Sequence, residues 1–101
     1  MKFVILFCLI ISMPVLADKL SDTRALAEKG DAGAQWSMGN MYEEGEGVLQ
    51  DYKMAHMWYN IAAAKGDEDA AENRSRITEM MSPEALNKAQ DMASEWMAEH
   101  Q

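Results

Sequence analysis

Cysteine is almost absent from this 101-residue chain, which contains a single one, at position 8. One cysteine cannot form an intrachain disulfide, so the fold is not a disulfide scaffold. The chain has the length of one domain. A domain this small without disulfides must be stabilised by apolar packing, with or without help from a partner.

Basic residues are also scarce, with 9 lysines and arginines against 17 aspartates and glutamates and a formal net charge of −8. A chain this acidic repels phosphate backbones and anionic lipid headgroups. We therefore expect neither a nucleic-acid partner nor binding to a membrane surface. A basic protein partner remains compatible with this charge.

Branched apolar residues that favour strands nearly disappear after residue 17, where one valine and two isoleucines remain. Alanine, methionine, glutamate and lysine, which favour helices, are abundant. No stretch alternates apolar and polar residues for long enough to form a strand. The sequence predicts an all-α fold.

The first 17 residues are typical of a secretory signal peptide. A positive second residue precedes an unbroken apolar run from Phe3 to Ile11, and Pro14 then breaks the helix ahead of Val15-Leu16-Ala17. The run is shorter than the roughly 20 residues that span a bilayer. We predict cleavage after residue 17, a periplasmic or secreted chain that begins at Asp18, and no stable membrane insertion after cleavage.

Capping residues and helix breakers divide the remainder into five predicted helices. Ser21 or Asp22 caps the first, Gly30 ends it, and aspartates at 31, 51 and 67 each start a further helix. Ser82-Pro83-Glu84 gives the fifth a strong start. The predicted helices cover about 22–29, 32–44, 51–65, 67–81 and 83–100. Because every connection is short, we expect consecutive helices to pack as antiparallel hairpins.

Apolar residues recur at helical spacing on four of these helices, and small alanines opposite large aromatic residues suit close packing. We interpret these faces as core rather than as a cofactor site. They consist of Ala34, Met38, Met41 and Tyr42 on the second helix; Tyr52, Ala55, Tyr59, Ala62 and Ala63 on the third; Ala70, Ile77 and Met81 on the fourth; and Leu86, Ala89, Ala93, Trp96 and Met97 on the fifth.

The segment 31–66 carries a more specific pattern. Met38-Gly39-x-x-Tyr42 followed by Ala55-x-x-x-Tyr59 resembles the marks of tetratricopeptide repeats, in which the glycine admits a neighbouring helix and the alanine lies where two helices nearly touch. The loop between the two halves is longer here, and with that loop the segment resembles one complete repeat of the Sel-1-like family. The framework positions are Ala34, Met38, Gly39, Tyr42, Gly45, Gly47, Ala55, Trp58, Tyr59, Ala62, Ala63 and Gly66.

The resemblance implies a short α/α solenoid that contacts other proteins, and with the signal peptide it suggests a bacterial protein. Residues 18–101 would form one domain, with a complete repeat at about 31–66 and capping helices at about 67–100. Solenoid repeats bury their faces only when stacked, and about three are usually needed for stability. We expect that the flanking helices cap the repeat; the alternative is completion by a homodimer or a partner.

Two groups of residues are candidates for partner binding. Trp36, Asn40 and Glu43 recur on the face of the second helix opposite its framework residues, and tryptophan is enriched among interface hot spots. The alternative for Trp36 is burial against the first helix inside the fold.

The second group is a further apolar line on the third helix, Met54, Met57 and Ile61. A helix with apolar residues on two sides is usually sandwiched between neighbours, and the fourth helix would then cover this line. If it stays uncovered, the methionines offer an adaptable binding surface.

No pattern in the sequence indicates catalysis. The chain without its signal peptide has no cysteine nucleophile, and no pair of its many carboxylates stands out. His56 has no histidine or cysteine three or four residues away, so we expect no metal site and place it on the exposed or boundary side of its helix. We predict a non-enzymatic module without a cofactor that binds a protein or peptide. The alternatives are a self-associating subunit of an envelope complex and a small carboxylate-dependent hydrolase.

Overall fold

The computed structural model describes residues 14–100, which form five helices and no strand. The helices are α1 (Pro14–Glu28), α2 (Ala32–Glu44), α3 (Tyr52–Ala64), α4 (Glu68–Thr78) and α5 (Pro83–Glu99). The prediction of an all-α fold is confirmed. None of these five helices is both long and apolar enough to cross a membrane. Positions 1–13 of the predicted signal peptide lie outside the described residues.

Helix α1 begins earlier than the sequence predicted. We expected Ser21 or Asp22 to start a helix, and this is wrong, because α1 already runs through both residues. Pro14 is the first residue of α1, a place that tolerates proline because the N–H it lacks would have no acceptor within the helix. The prediction that Pro14 breaks the helix before it concerns residues outside those described. The helix continues to Glu28. Cleavage after residue 17, which lies within α1, stays a prediction.

The predicted N-caps of the other four helices are confirmed. Asp31 Oδ1 accepts a hydrogen bond from the backbone N–H of Ala34 at 3.0 Å. Asp51, Asp67 and Ser82 cap α3, α4 and α5 in the same way. Each cap satisfies backbone N–H groups that have no acceptor in the first turn of a helix. These short-range signals therefore place the helix starts correctly.

Helix α3 lies at the centre of the fold and is buried on two sides, as its two apolar lines predicted. One side faces α1, α2 and α5, and the other faces α2 and α4. The buried residues of the first cluster are Ala27, Ala34, Met38, Met41, Met57, Trp58, Ile61 and Ala93. Those of the second cluster are Ala55, Tyr59, Ala62, Ala70 and Ile77. The two clusters share α2 and α3, so this hairpin joins both halves of the core.

Helix α5 packs on α3 rather than on α4, so the predicted hairpin between the fourth and fifth helices is wrong. Its fully buried Ala93 belongs to the first cluster, and the Trp96 ring meets the edge of Trp58 with the ring centroids 5.7 Å apart. The apolar residues of α4, Ala70 and Ile77, are already buried against α3. Because α4 has no second apolar face, α5 finds its apolar contact on α3 instead.

Candidate protein-binding surface

Helices α2 and α4 lie side by side over α3 and present a joint polar surface, here called the α2–α4 surface. It consists of Trp36, Asn40 and Glu43 from α2 and Asn73 and Arg76 from α4. Arg76 forms a bidentate contact with Glu43, through Nη1 to Oε2 at 2.6 Å and through Nη2 to Oε1 at 2.9 Å. The side chain of Arg76 is 51% exposed and that of Glu43 only 15%. The pair thus joins the rim of the surface to its interior.

The hydroxyl group of Tyr59 on α3 supports this surface from below. It lies 2.6 Å from Asn40 Oδ1 and 2.7 Å from Glu43 Oε1, and its single proton is shared between the two acceptors. Tyr59 itself is fully buried. Burial, followed by the nearby Glu43 carboxylate, raises the pKa of the Tyr59 hydroxyl far above its usual range. The hydroxyl therefore stays protonated and acts as a fixed hydrogen-bond donor.

Glu43 and Arg76 are both stabilised in their charged forms. The hydrogen bond from Arg76 lowers the pKa of the Glu43 carboxyl against the opposing effect of burial, and the same bond raises the pKa of Arg76. Glu43 is therefore a carboxylate at neutral pH, with both oxygens already accepting hydrogen bonds. An exposed ion pair contributes little to stability by itself, but this one also fixes where α4 sits relative to α2.

The position of Tyr59 depends on Gly39, as the repeat pattern predicted. A Cβ atom at Gly39 would overlap the Tyr59 ring. Only a residue without a side chain lets α3 approach α2 this closely, which is how the hydroxyl of Tyr59 reaches two acceptors on α2. The close approach thus sets the geometry of the α2–α4 surface.

Trp36 is neither fully exposed nor packed on α1. It is partly buried against the second cluster, between α2, α3 and α4, and its indole Nε1 is buried with no hydrogen-bond partner in residues 14–100. Asn40 and Glu43 are also engaged with Tyr59. The expectation of a freely exposed stripe on α2 is therefore wrong, because this face of α2 is the one that meets α4.

The second predicted group belongs to the core. Met57 and Ile61 are 6% and 1% exposed, and Met54 is partly buried against the same cluster. The structure decides between the two interpretations in favour of burial. The covering helix is α5, however, and not the fourth helix as expected. Met57 and Ile61 are too deeply buried in this fold to contact a partner.

The framework positions divide by environment. Ala34, Met38, Gly39, Ala55, Trp58, Tyr59 and Ala62 are buried, Tyr42 and Ala63 are partly buried, and Gly45, Gly47 and Gly66 are exposed. Gly45 and Gly47 have φ angles of 70° and 76°, a region that favours glycine, in the loop between α2 and α3. Both glycines are therefore suited to this turn.

His56 is buried, contrary to the prediction that it lies on an exposed or boundary side of its helix. It is 2% exposed, and its Nε2 lies 3.2 Å from Thr78 Oγ1 on α4. The Thr78 hydroxyl donates its proton to the Arg74 carbonyl at 2.7 Å, so Nε2 of His56 is the donor and carries the ring proton. Nδ1 is buried and has no partner in the described residues. Loss of hydration, followed by the charge of Arg74, lowers the pKa of His56.

A cleft between α4 and α5 was not predicted from the sequence. We call it the α4–α5 cleft; its volume is about 470 Å³, and it is lined by His56, Asn60, Arg74, Ser75, Thr78, Glu79, Leu86 and Gln90. It exists because α5 turns away from α4 to pack on α3. No local signal could have revealed it, since its walls come from three helices. Within residues 14–100, no group of three side chains could hold a metal ion.

Residues 32–67, which comprise α2, the glycine loop and α3, match the family described as Sel1 repeat. Sel1 repeats generally mediate contacts between proteins and are not typically enzymatic. The predicted resemblance is therefore confirmed, and the α2–α4 surface lies partly on this repeat and partly on the helix that follows it.

The chain is similar to two proteins named "Exopolysaccharide production negative regulator". The one from Rhizobium leguminosarum bv. viciae is 42% identical over 50 residues, and the one from Rhizobium meliloti (strain 1021) is 38% identical over 50 residues. Each match covers 50% of this chain and 19% of the relative. The matched half of the chain therefore covers about a fifth of the length of these regulators.

Proposed function

We propose that the chain is an exported protein-binding module that holds a protein or peptide partner on the α2–α4 surface. The observation that carries this proposal is the arrangement of Tyr59, Asn40, Glu43 and Arg76, which fixes a polar rim beside the partly buried ring of Trp36. Protein interfaces commonly combine an aromatic anchor with a rim of polar groups. The presence of a Sel1 repeat supports the same function.

Export is the second part of the proposal. It is supported by the leader-like composition of residues 1–17. Expression of the full chain in a bacterial host, followed by cell fractionation and N-terminal sequencing, tests it. We expect a periplasmic product that begins at Asp18. A cytoplasmic product that keeps its first residues would contradict export without affecting the binding surface.

The regulatory role named for the two rhizobial relatives supports a more specific hypothesis. Half of this chain aligns with a fifth of a regulator, and a Sel1 repeat in the aligned part is suited to contact with another protein. We propose that the present chain regulates a partner by binding rather than by catalysis.

Photo-crosslinking in living cells tests the binding surface directly. A photoreactive amino acid replaces Asp69, an exposed residue one turn before Asn73 and two turns before Arg76 on α4. The matched control carries it at Glu95, an exposed residue on α5. We expect a crosslinked product at Asp69 and none at Glu95. Introducing Arg76→Glu into the Asp69 variant should reduce the amount of crosslinked product, because two carboxylates, one of them that of Glu43, would then face each other within the α2–α4 surface.

Two results would contradict the proposal. No product at Asp69 would mean that the α2–α4 surface has no partner in the cell. Equal products at both positions would mean contact without preference for this surface.

A further inference from the structure

The α4–α5 cleft is not used by the proposed binding surface, and its lining is polar. Seven of its eight lining residues carry side-chain hydrogen-bonding groups, with Leu86 as the exception. The side chains of Ser75 and Gln90 make no hydrogen bonds within residues 14–100. A ligand in this cleft would therefore meet free donors and acceptors. Its volume, about 470 Å³, lies in the range of ligand-binding pockets.

The cleft has two chemically different ends. At one end, Arg74 Nη1 donates to Asn60 Oδ1 at 2.8 Å, and Gln90 lies on the opposite wall. Arg74 is partly buried and forms no salt bridge with any described residue. Its guanidinium therefore keeps donors for an anionic group.

The other end carries the opposite charge. Glu79 is exposed, lines the cleft and caps the C-terminus of α4. The five-residue separation of Arg74 and Glu79 corresponds to about 7.5 Å along the helix axis at about 1.5 Å per residue. The negative end of the helix dipole adds to the attraction of Glu79 for a cation. A ligand with a carboxylate and a cation about 7.5 Å apart in the direction of α4 would match this axial spacing.

We propose that the α4–α5 cleft binds the C-terminus of a partner polypeptide, with the terminal carboxylate on Arg74 and a nearby basic side chain on Glu79. This inference rests on the proposed function, because it assumes a protein partner and assigns the C-terminus of that partner to a second binding site. Guanidinium groups bind carboxylates through two parallel hydrogen bonds. An extended chain advances about 3.3 Å per residue, so the basic residue lies two or three positions before the end. The acidic surface of the whole chain attracts such a basic tail.

An array of synthetic random hexapeptides with free C-termini tests this proposal, with the same peptides amidated at the C-terminus as the comparison. The probe is the purified full-length chain. We expect binding to a subset of free peptides enriched in lysine or arginine two or three positions before the end. Amidation should weaken it by about tenfold or more, because it removes the charge that Arg74 binds.

Matched variants link the binding to the cleft. Arg74→Gln should abolish the difference between free and amidated peptides, whereas Glu79→Gln should abolish only the preference for a basic residue. Lys88→Gln is the control, because it removes one positive charge from an exposed position on α5 outside the cleft. Arg74→Lys keeps the charge without the two parallel donors and should bind with intermediate strength. Far-ultraviolet circular dichroism of each variant checks that the helices are retained.

Equal binding of free and amidated peptides, or no binding to either array, would overturn the proposal. So would a loss of binding in Lys88→Gln equal to that in Arg74→Gln. The array requires neither export nor a cellular partner. If no peptide binds but crosslinking at Asp69 is observed, the proposal for the α4–α5 cleft is wrong and the one for the α2–α4 surface stands. If peptides bind but crosslinking fails, only the proposal for the α2–α4 surface is wrong.

Discussion

Burial of His56 makes the stability of this protein sensitive to mild acid. The ring lies between α3 and α4, donates from Nε2 to Thr78, and leaves Nδ1 buried without a partner in the described residues. The charged groups that line the cleft beside it are Arg74 and Glu79 on α4, and α5 contributes only the uncharged Leu86 and Gln90. Protonation would place a positive charge near Arg74 with no acceptor for the new N–H group.

The pKa of His56 is lowered in the folded chain from its ordinary value of 6.5, first by burial and second by Arg74. Between the lowered pKa and 6.5, the unfolded chain therefore binds a proton that the folded chain does not. Stability is complete above the unfolded pKa and falls as the pH drops below about 6.5, by up to about 1.4 kcal/mol for each pH unit. The loss ends when the pH reaches the pKa of the folded state.

Urea unfolding followed by circular dichroism, from about pH 7.5 to about pH 5, measures this slope. His56→Gln retains a side-chain amide that can donate to Thr78 but cannot be protonated, so we expect its unfolding free energy to be flatter over this range. His100→Gln removes the other histidine, which is exposed, and should keep the wild-type slope. The lower limit avoids the range below about 4.5, where protonation of Glu43 would also reduce stability because its pKa is lowered.

Two outcomes would refute this reasoning. One is a wild-type free energy of unfolding that does not change between about pH 7.5 and about pH 5. The other is an equal slope in His56→Gln and the wild type, which would assign the proton uptake to a different group.

Three further predictions concern packing, and denaturant unfolding of the full chain tests each. Gly39→Ala should destabilise the fold by about 1–3 kcal/mol, because the added methyl group overlaps the Tyr59 ring, even though alanine has a higher helix propensity than glycine. The control is Gly33→Ala at an exposed position of the same helix, which should be less destabilising. Tyr59→Phe should cost about 1–3 kcal/mol because two polar groups lose their donor, whereas Tyr52→Phe, whose hydroxyl makes no hydrogen bond within the described residues, should have a smaller effect. Met57→Ala should cost about 2–5 kcal/mol and leave the mass in solution, measured by light scattering, at that of a monomer; a wild-type dimer that this change dissociates would contradict the capping role of α5.

Much of the fold could be predicted from residues close together in sequence. Asp31, Asp51, Asp67 and Ser82 were correctly predicted as caps because an N-cap acts through hydrogen bonds to residues two or three positions away. The apolar faces were also recognisable, because burial of one helix side requires a period of 3.6 residues. The start of α1 was misjudged because Ser21 and Asp22 are capping residue types that can also lie inside a helix, as they do here.

The candidate sites were less predictable. Trp36, Asn40 and Glu43 were correctly grouped on one face of α2, but that face was expected to be free, and it meets α4. His56 was expected at a boundary because its neighbours in sequence gave no sign of the threonine 22 residues away that binds it. Arg74 drew no attention, since its significance comes from its place in a cleft whose walls are supplied by three helices.

The sequence by itself determined the helical class, four of the five helix starts, the repeat framework and the two-sided burial of α3, because each of these follows from contacts between residues close in sequence or from helical periodicity. Tertiary structure alone decided which helix covers each side of α3. The fifth helix could pack on α3 or α4, and it packs on α3 because only α3 has a second apolar face to bury. That choice buries Met57 and Ile61 and opens the α4–α5 cleft.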